Sequence, residues 1–333
     1  MQRQSHARRR ALRAGALTLA ACAALPWYAG SALAQQYPAR PVTMVVPFPP
    51  GGVADTVGRP VAEALARALG QPVVVENRAG AGGGIGMAHV AKAAPDGYTV
   101  LMALSSITIL PEADKVLQRS PLYQLDQLVP VARFTADPVV LAVRGDSPWR
   151  TYAEFISFAR EKPGALTFGS SGNFGTMHVP MEMLEQATDT DMVHVPYTGA
   201  GPAIVGLLSG QVDALATGPA TVVQQVKAGK LRVLAHWGKG RLAALPEVPS
   251  LHELGVDVGF SQWAGLFVPA GTPEPVIATL RDASRTAAAD ERVIQTIGTA
   301  GTPIQYLDAP EFSSFVQKES AVMKKVVQRI GKQ

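Results

Sequence analysis

Between Arg40 and Tyr98 the chain runs twice through one local pattern, and that pattern restricts the folds open to it. An apolar run (Val42–Val46) stops at Pro47, crosses a Pro/Gly loop (Phe48–Gly52) and enters a helical segment carrying Asp55. A second apolar run (Val73–Val75) leads through the glycine-rich stretch Gly80–Gly86 into a second helical segment. Two such strand–loop–helix units in succession place two helix N-termini at one edge of a parallel sheet. That edge offers backbone N–H groups without intrahelical partners and positive dipole ends, which suit a small anion. Neither loop carries the side chains of a catalytic site, so the pattern predicts capture of a small acid without chemistry on it.

The same alternation continues almost to the end of the chain. Strand-like runs fall at Val100–Leu104, Val139–Val143, Leu166–Gly169, Met192–Val195, Ala214–Thr217, Leu231–Ala235 and Gly265–Val268. Helical stretches lie between them at Thr151–Arg160, Met181–Gln186, Ala203–Leu208 and Thr221–Ala228. This order predicts an α/β protein with mainly parallel sheets. Near the C-terminus the character changes, with helical patterns at Glu274–Ala289, Glu291–Thr296 and Glu311–Ile330 and little strand between them. There is no internal repeat and no low-complexity linker, so a chain of two domain-sized halves is expected to cross between them on strands.

The first 34 residues read as an export signal. Arg3, Arg8, Arg9, Arg10 and Arg13 form a basic start, an apolar stretch follows, and Ala32-Leu33-Ala34 supplies a small-x-small cleavage site before Gln35. The arginine cluster fits either a twin-arginine or a plain secretory signal. A rival site, Leu19-Ala20-Ala21-Cys22, matches a lipoprotein box, but the segment after Cys22 is apolar where a polar tether is expected. The expected location is the periplasm. The net charge of +4 becomes −1 once the five arginines of the signal are set aside, so nothing in the charge balance points to nucleic acid. The single cysteine, Cys22, leaves with the signal, which excludes thiol catalysis, disulfides and cysteine metal sites from the mature chain.

The motifs that suggest chemistry fail on inspection. Gly80–Gly86 has no G-x-G-x-x-G frame and lacks the lysine and Ser/Thr ending of a phosphate loop. Phe168–Asn173 resembles a nucleophile elbow, but Asn173 stands where the second glycine is required. That stretch reads instead as a strand-to-helix turn whose hydroxyls and N–H groups cap a helix or hold an anion. The mature histidines, His89, His178, His194, His236 and His252, are scattered without metal spacing, so no metal and no cofactor are expected. Three further residues are candidates beside the loops. Asp55, four residues before Arg59, could set loop geometry or bind a ligand amine; His178 follows the serine-rich turn; Asp213 could order a turn or touch ligand.

Taken together, several stretches resemble one family, the periplasmic solute receptors of tripartite tricarboxylate transporters (Bug-type receptors). They are Tyr37-Pro38-x-Arg40-Pro41, Pro47-Phe48-x-Pro50-Gly51-Gly52-x-x-Asp55, Val75-Glu76-Asn77-Arg78-x-Gly80-Ala81-Gly82-Gly83 and Pro95-Asp96-Gly97-Tyr98. Further on come Gly169-Ser170-Ser171-Gly172, Val195-Pro196-Tyr197-x-Gly199-x-x-Pro202-Ala203, Leu208-x-Gly210-Gln211-Val212-Asp213, Lys227–Arg232 and Leu245–Ser250. The resemblance covers essentially the whole mature chain.

It implies a type II periplasmic-binding-protein fold, with two α/β lobes joined by crossover strands and the ligand cleft between them, closing like a flytrap. Lobe 1 would be discontinuous, residues 35–138 and 262–333, and lobe 2 would be residues 139–261. The implied function is capture of a small carboxylate, by a monomer that is not an enzyme, for delivery to a membrane permease of the tripartite tricarboxylate type. Carried over by position, the first-lobe site would be Phe48, Pro50, Gly51, Gly52 and Ala54 with Ser105 and Ser106. The second-lobe site would be Ser170, Ser171, Asn173, Thr176, Tyr197 and Gly199.

Four departures from the family pattern bear on the ligand. Ile109-Leu110-Pro111-Glu112 stands where Asn-Pro and Leu-Tyr are usual, Phe174-Gly175-Thr176 follows Gly172, Thr198 replaces a lysine, and His236-Trp237 replaces a small polar pair. Phe174 and Trp237 would add apolar surface and favour an aromatic or less polar acid. An alternative role is that of a ligand-sensing co-receptor for a two-component sensor kinase. A periplasmic hydrolase or lyase would need an elbow, metal cluster, thiol or acid–base pair that the motifs do not supply.

Overall fold

The computed structural model describes residues 37–331. The expected signal peptide, its cleavage before Gln35 and the rival site at Cys22 lie outside the described residues. From the N-terminus come β1 (Val42–Val46), α1 (Val53–Leu69), β2 (Val73–Asn77), α2 (Gly84–Ala91), β3 (Thr99–Leu104), α3 (Ser106–Val116), β4 (Leu128–Pro138) and β5 (Val140–Arg144). Next are α4 (Tyr152–Glu161), β6 (Thr167–Ser170), α5 (Val179–Thr188), β7 (Val193–Pro196), α6 (Ala200–Leu208), β8 (Ala214–Thr217), α7 (Val223–Lys227) and β9 (Leu231–His236). The chain closes with β10 (Ser261–Pro269), α8 (Glu274–Ala289), α9 (Glu291–Thr299), β11 (Leu307–Asp308) and α10 (Ala309–Ile330).

These strands form two sheets, ordered β11-β4-β10-β3-β1-β2 and β7-β6-β8-β5-β9. β1 pairs in parallel with β2 and β3, and β6 in parallel with β7 and β8. β10 runs antiparallel to β3 and β4, and β5 antiparallel to β8 and β9. Both sheets are therefore mixed, which corrects the expectation of mainly parallel sheets. The antiparallel strands are the ones on which the chain changes sheet. β4 ends at Pro138 in the first sheet, and β5 starts at Val140 in the second. The return passes through Trp237 and Phe260, whose backbone groups bond Val139 and each other before β10 begins.

Alternation along β5 shows how one strand serves two cores. Successive side chains of a strand point to opposite faces. Leu141 and Val143 accordingly join the large cluster with Phe168 and Phe155, while Val140 and Ala142 join a smaller cluster with Leu207, Leu215 and Val222. The second sheet is thus covered by α4 and α5 on one face and by α6 and α7 on the other. In the first sheet α1 buries Val53, Val57, Val61, Ala64 and Leu65 at helical spacing, and stops at Gly70, whose φ of 65° is left-handed. α1 packs on α8 and α9, and α10 packs on α3 and β4.

Candidate functional site

Parallel strands deliver their C-terminal ends to one place. β1 ends at the Pro47–Gly52 loop, β2 at the loop leading to Gly80–Gly83, and β3 at Ser105-Ser106. From the second sheet β6 ends at Ser170-Ser171, β7 at Pro196-Tyr197 and β8 at Gly218. Ligands of α/β sheets bind at such edges because helix N-termini collect there. The two edges face each other. A Cβ at Gly199 would run into the ring of Pro49, one at Gly201 would sit 3.0 Å from Pro50 O, and one at Gly172 would sit 3.0 Å from the Gly82 nitrogen. Gln262 Nε2, on β10, donates to Thr176 Oγ1 at 2.6 Å and ties the first sheet to the second-sheet loop. The cleft is closed on itself.

The first loop is held by a polar clasp. Gly51, at φ 82°, donates its N–H to Asp55 Oδ2 (3.1 Å), and Asn77 Nδ2 donates to Asp55 Oδ1 (3.0 Å) and to Phe48 O (2.9 Å). Arg59 Nη2 pairs with Asp55 Oδ1 at 2.9 Å. Burial pushes the Asp55 carboxyl up, but bonds from Arg59, Asn77 and Gly51 outweigh it and hold it below its ordinary value. Asp55 therefore sets loop geometry, with both oxygens already engaged inside the chain. Gly52 caps α1 without a side chain, so the first-turn N–H groups at Val53 and Ala54 have no side-chain cap.

Four buried side-chain atoms around this edge have no hydrogen-bond partner among the described residues: Ser105 Oγ, Ser106 Oγ, Ser171 Oγ and Gln262 Oε1. A buried polar atom left unpaired costs about 1–3 kcal/mol, so an outside partner that met these four would be favoured. None of these residues is charged. Ser170 differs: its Oγ lies 2.6 Å from His194 Nε2 and accepts from Gly172 N–H at 3.1 Å, so it braces the turn from beneath. His178 also braces it, since Nδ1 accepts the Phe174 N–H (3.1 Å) and Nε2 meets Glu182 Oε1 (3.1 Å).

The remaining candidates separate by position. Pro50, Gly51, Gly52, Ala54, Ser105, Ser106, Ser171, Thr176 and Gly199 lie at the facing edges. Phe48 is buried with its ring under Gly83, where an added Cβ would lie 2.9 Å from Cζ, so it supports the glycine loop from the core. Tyr197 turns its ring towards Gly169 and Gly206, and its hydroxyl donates to Gln211 Oε1 at 3.3 Å, away from the cleft. Asn173 is exposed and borders a hollow of about 300 Å³ with Ala81, Leu110, Tyr123 and Pro196. Asp213 accepts from the N–H and hydroxyl of Thr167 (2.9 and 2.8 Å) at the opposite end of β6 from Ser170. Trp237 is buried at the crossover, its backbone N–H donating to Val139 O at 3.0 Å.

Sequence reasoning missed Gln262, Gly218 and Pro49. The one signal for Gln262 was a long polar side chain inside an otherwise apolar strand, where a buried amide needs a reason. Gly218 and Pro49 gave none, because their importance lies in what stands opposite them.

Two α/β sheets with facing strand edges and a closed cleft between them define the class: a two-lobed periplasmic binding protein. Comparison with known proteins narrows this. Residues 57–332 match the model of the tripartite tricarboxylate transporter family receptor. The chain is 36% identical to the protein BugT of Bordetella pertussis over 273 residues, covering 81% of this chain and 83% of BugT. Among solved structures it is similar to MatC from Rhodopseudomonas palustris with bound malate, at 32% identity and TM-score 0.81, covering 87% of this chain and all of that one (100%). It is also similar to the R. palustris protein Rpa4515 with adipate, at 28% identity and TM-score 0.83, covering 89% and 98%. The chain belongs to the tripartite tricarboxylate transporter receptor family, a family of solute-binding receptors and not of enzymes.

Proposed function

We propose that this protein captures a small carboxylate in the periplasm and delivers it to a membrane permease of the tripartite tricarboxylate type. Lobe 1 is residues 35–138 with 262–333, and lobe 2 is residues 139–261. The observation that carries the reading is the set of unpartnered buried polar atoms at Ser105, Ser106, Ser171 and Gln262, beside the N-termini of α1, α3 and α6. Hydroxyls and helix N-termini can hold a carboxylate without a fixed positive side chain. The malate in MatC and the adipate in Rpa4515 support an acid of that size. Ligand meets the α1 edge first, and the second-lobe turn completes the cage on closure, so the ligand's extra contacts favour the closed state. Export rests on the signal peptide, with the mature chain starting at Gln35, which mass measurement of the secreted protein checks.

The test is a thermal-shift screen of the mature protein against di- and tricarboxylates, amino acids, aromatic acids and neutral analogues of each. A rise of several degrees with one acid class, confirmed by calorimetry and lost in its neutral analogue, is expected. A panel that gives no shift, on protein shown by mass spectrometry to carry no co-purified acid, would sink the reading.

A further inference from the structure

Of the four unpartnered buried atoms at the cleft, three are serine hydroxyls and one is an amide oxygen. A hydroxyl donates or accepts, whereas an amide oxygen only accepts. Ser105, Ser106 and Ser171, with the helix N-termini, can therefore meet the oxygens of an acid. Gln262 Oε1 requires a donor.

That amide is held at its other end. Gln262 Nε2 donates to Thr176 Oγ1 at 2.6 Å, the bond that spans the cleft, and Oε1 is left as the other end of the amide. The residue is 3% exposed and sits in β10, in a run buried from Gln262 to Pro269. β10 pairs Ala264 with Leu104, which carries Gln262 to the end of β3 where Ser105 and Ser106 follow. Gly218 makes room for the oxygen: a Cβ there would lie 2.5 Å from Oε1.

Resting on the reading that this cleft holds a small acid, we propose that Gln262 is a specificity residue. It selects acids bearing a hydrogen-bond donor, a hydroxyl or an ammonium group, over unsubstituted acids of the same carbon skeleton. The physical reason is an asymmetry. A donor-bearing acid pairs Oε1, while its unsubstituted analogue closes the lobes over a desolvated acceptor and leaves it unpaired. A site built around a polar group rejects the analogue lacking the matching group more strongly than an apolar pocket does.

The test measures dissociation constants by calorimetry for matched pairs: malate and aspartate against succinate, lactate against propionate, and 4-hydroxybenzoate against benzoate. Wild type is expected to prefer the donor-bearing member of the pairs it binds by tenfold or more. Gln262→Met should bring that ratio to within about threefold of unity while still binding the unsubstituted acid. Gln262→Glu, which keeps an acceptor oxygen, should weaken both members and preserve the ratio. Circular dichroism of both variants confirms that they fold. An unchanged ratio in Gln262→Met, equal loss of both members in that variant, or a lost ratio in Gln262→Glu would overturn the proposal and leave acid capture standing. Binding of no acid to wild type would overturn the acid-receptor reading, and this proposal with it.

Discussion

Gly199, the residue that caps α6, lies against the pyrrolidine ring of Pro49 across the closed cleft, too close for any side chain to fit between them. Its φ of 172° is open to every residue, so the glycine is needed for the approach and not for the backbone. Gly199→Ala should hold the lobes apart. Calorimetry should show affinity for the acid found in the screen lowered tenfold or more, with the melting temperature of the ligand-free protein unchanged. Wild-type affinity in this variant would mean that Pro49 and Gly199 do not meet in the bound state.

Asp55 accepts three bonds, from Gly51, Asn77 and Arg59, and one of them positions the Gly51 peptide at the cleft. Asp55→Ala should therefore act on the loop as well as on stability. Hydrogen bonds to a charged group contribute about 1.5–3 kcal/mol, and Arg59 is half exposed, so a loss near the lower figure is expected in urea titrations. Acid affinity should fall with it by more than tenfold. A variant that loses stability alone would show that the clasp is not coupled to the site.

His194 gives the second-lobe turn a pH dependence. Burial, and then the neighbouring His178, push His194 down to about 4. The unfolded chain titrates near the ordinary histidine value, about 6.5, and so binds the extra proton between the two. Stability present above that window is therefore lost as pH falls from about 6.5 towards 4. Replacing His194 by Gln removes the titration, and should flatten the decline by on the order of 2 kcal/mol at pH 4. Urea midpoints at pH 7, 5.5 and 4 test this, and parallel curves for wild type and variant would refute it.

Asp308 offers a contrast far from the cleft. It accepts from Arg281 Nε (3.0 Å), Arg285 Nη2 (2.8 Å) and the Ala309 N–H (2.8 Å), capping α10. The Arg281 bond foremost holds its carboxyl well below the carboxylate range. Asp308→Ala should cost about 1–2 kcal/mol, the sum of a helix cap and partly exposed ion pairs. Acid affinity should stay at the wild-type value, since the cap touches no cleft residue. A large loss of affinity would place α10 in the closing motion.

Much of the fold was legible because local pattern carries it. Ala214–Thr217 was read to the residue, and Thr151–Arg160 and Glu274–Ala289 within one residue or none. β4 escaped notice because Arg133, Thr135 and Asp137 interrupt its apolar residues and prolines stand at Pro130 and Pro138. The strand tolerates Pro130 because its outer neighbour, β11, pairs only at Arg133 and Ala132, so no ladder bond is lost on that side. Missing β4 also hid the antiparallel half of the first sheet.

The loops at the site were equally readable in kind, but not in direction. Phe48 and Tyr197 stand in the same loops as Gly51 and Gly199, yet their rings pack into the lobes. Trp237, expected to add apolar surface for a ligand, instead braces the crossover at Val139. Adjacent positions in a loop differ in where they point, and only the packing beneath decides it.

By itself the sequence determined the units: strands that end in Gly/Pro and Ser loops, and helices that begin there with N–H groups to spare. Those follow from periodicity, turn chemistry and capping, which act over a few residues. Only the tertiary structure decided that Pro49 meets Gly199, that Gln262 reaches Thr176, and that its amide oxygen is left without a partner among the described residues. Such contacts join residues 86 to 150 positions apart, and they depend on how two sheets face each other, which no local pattern encodes.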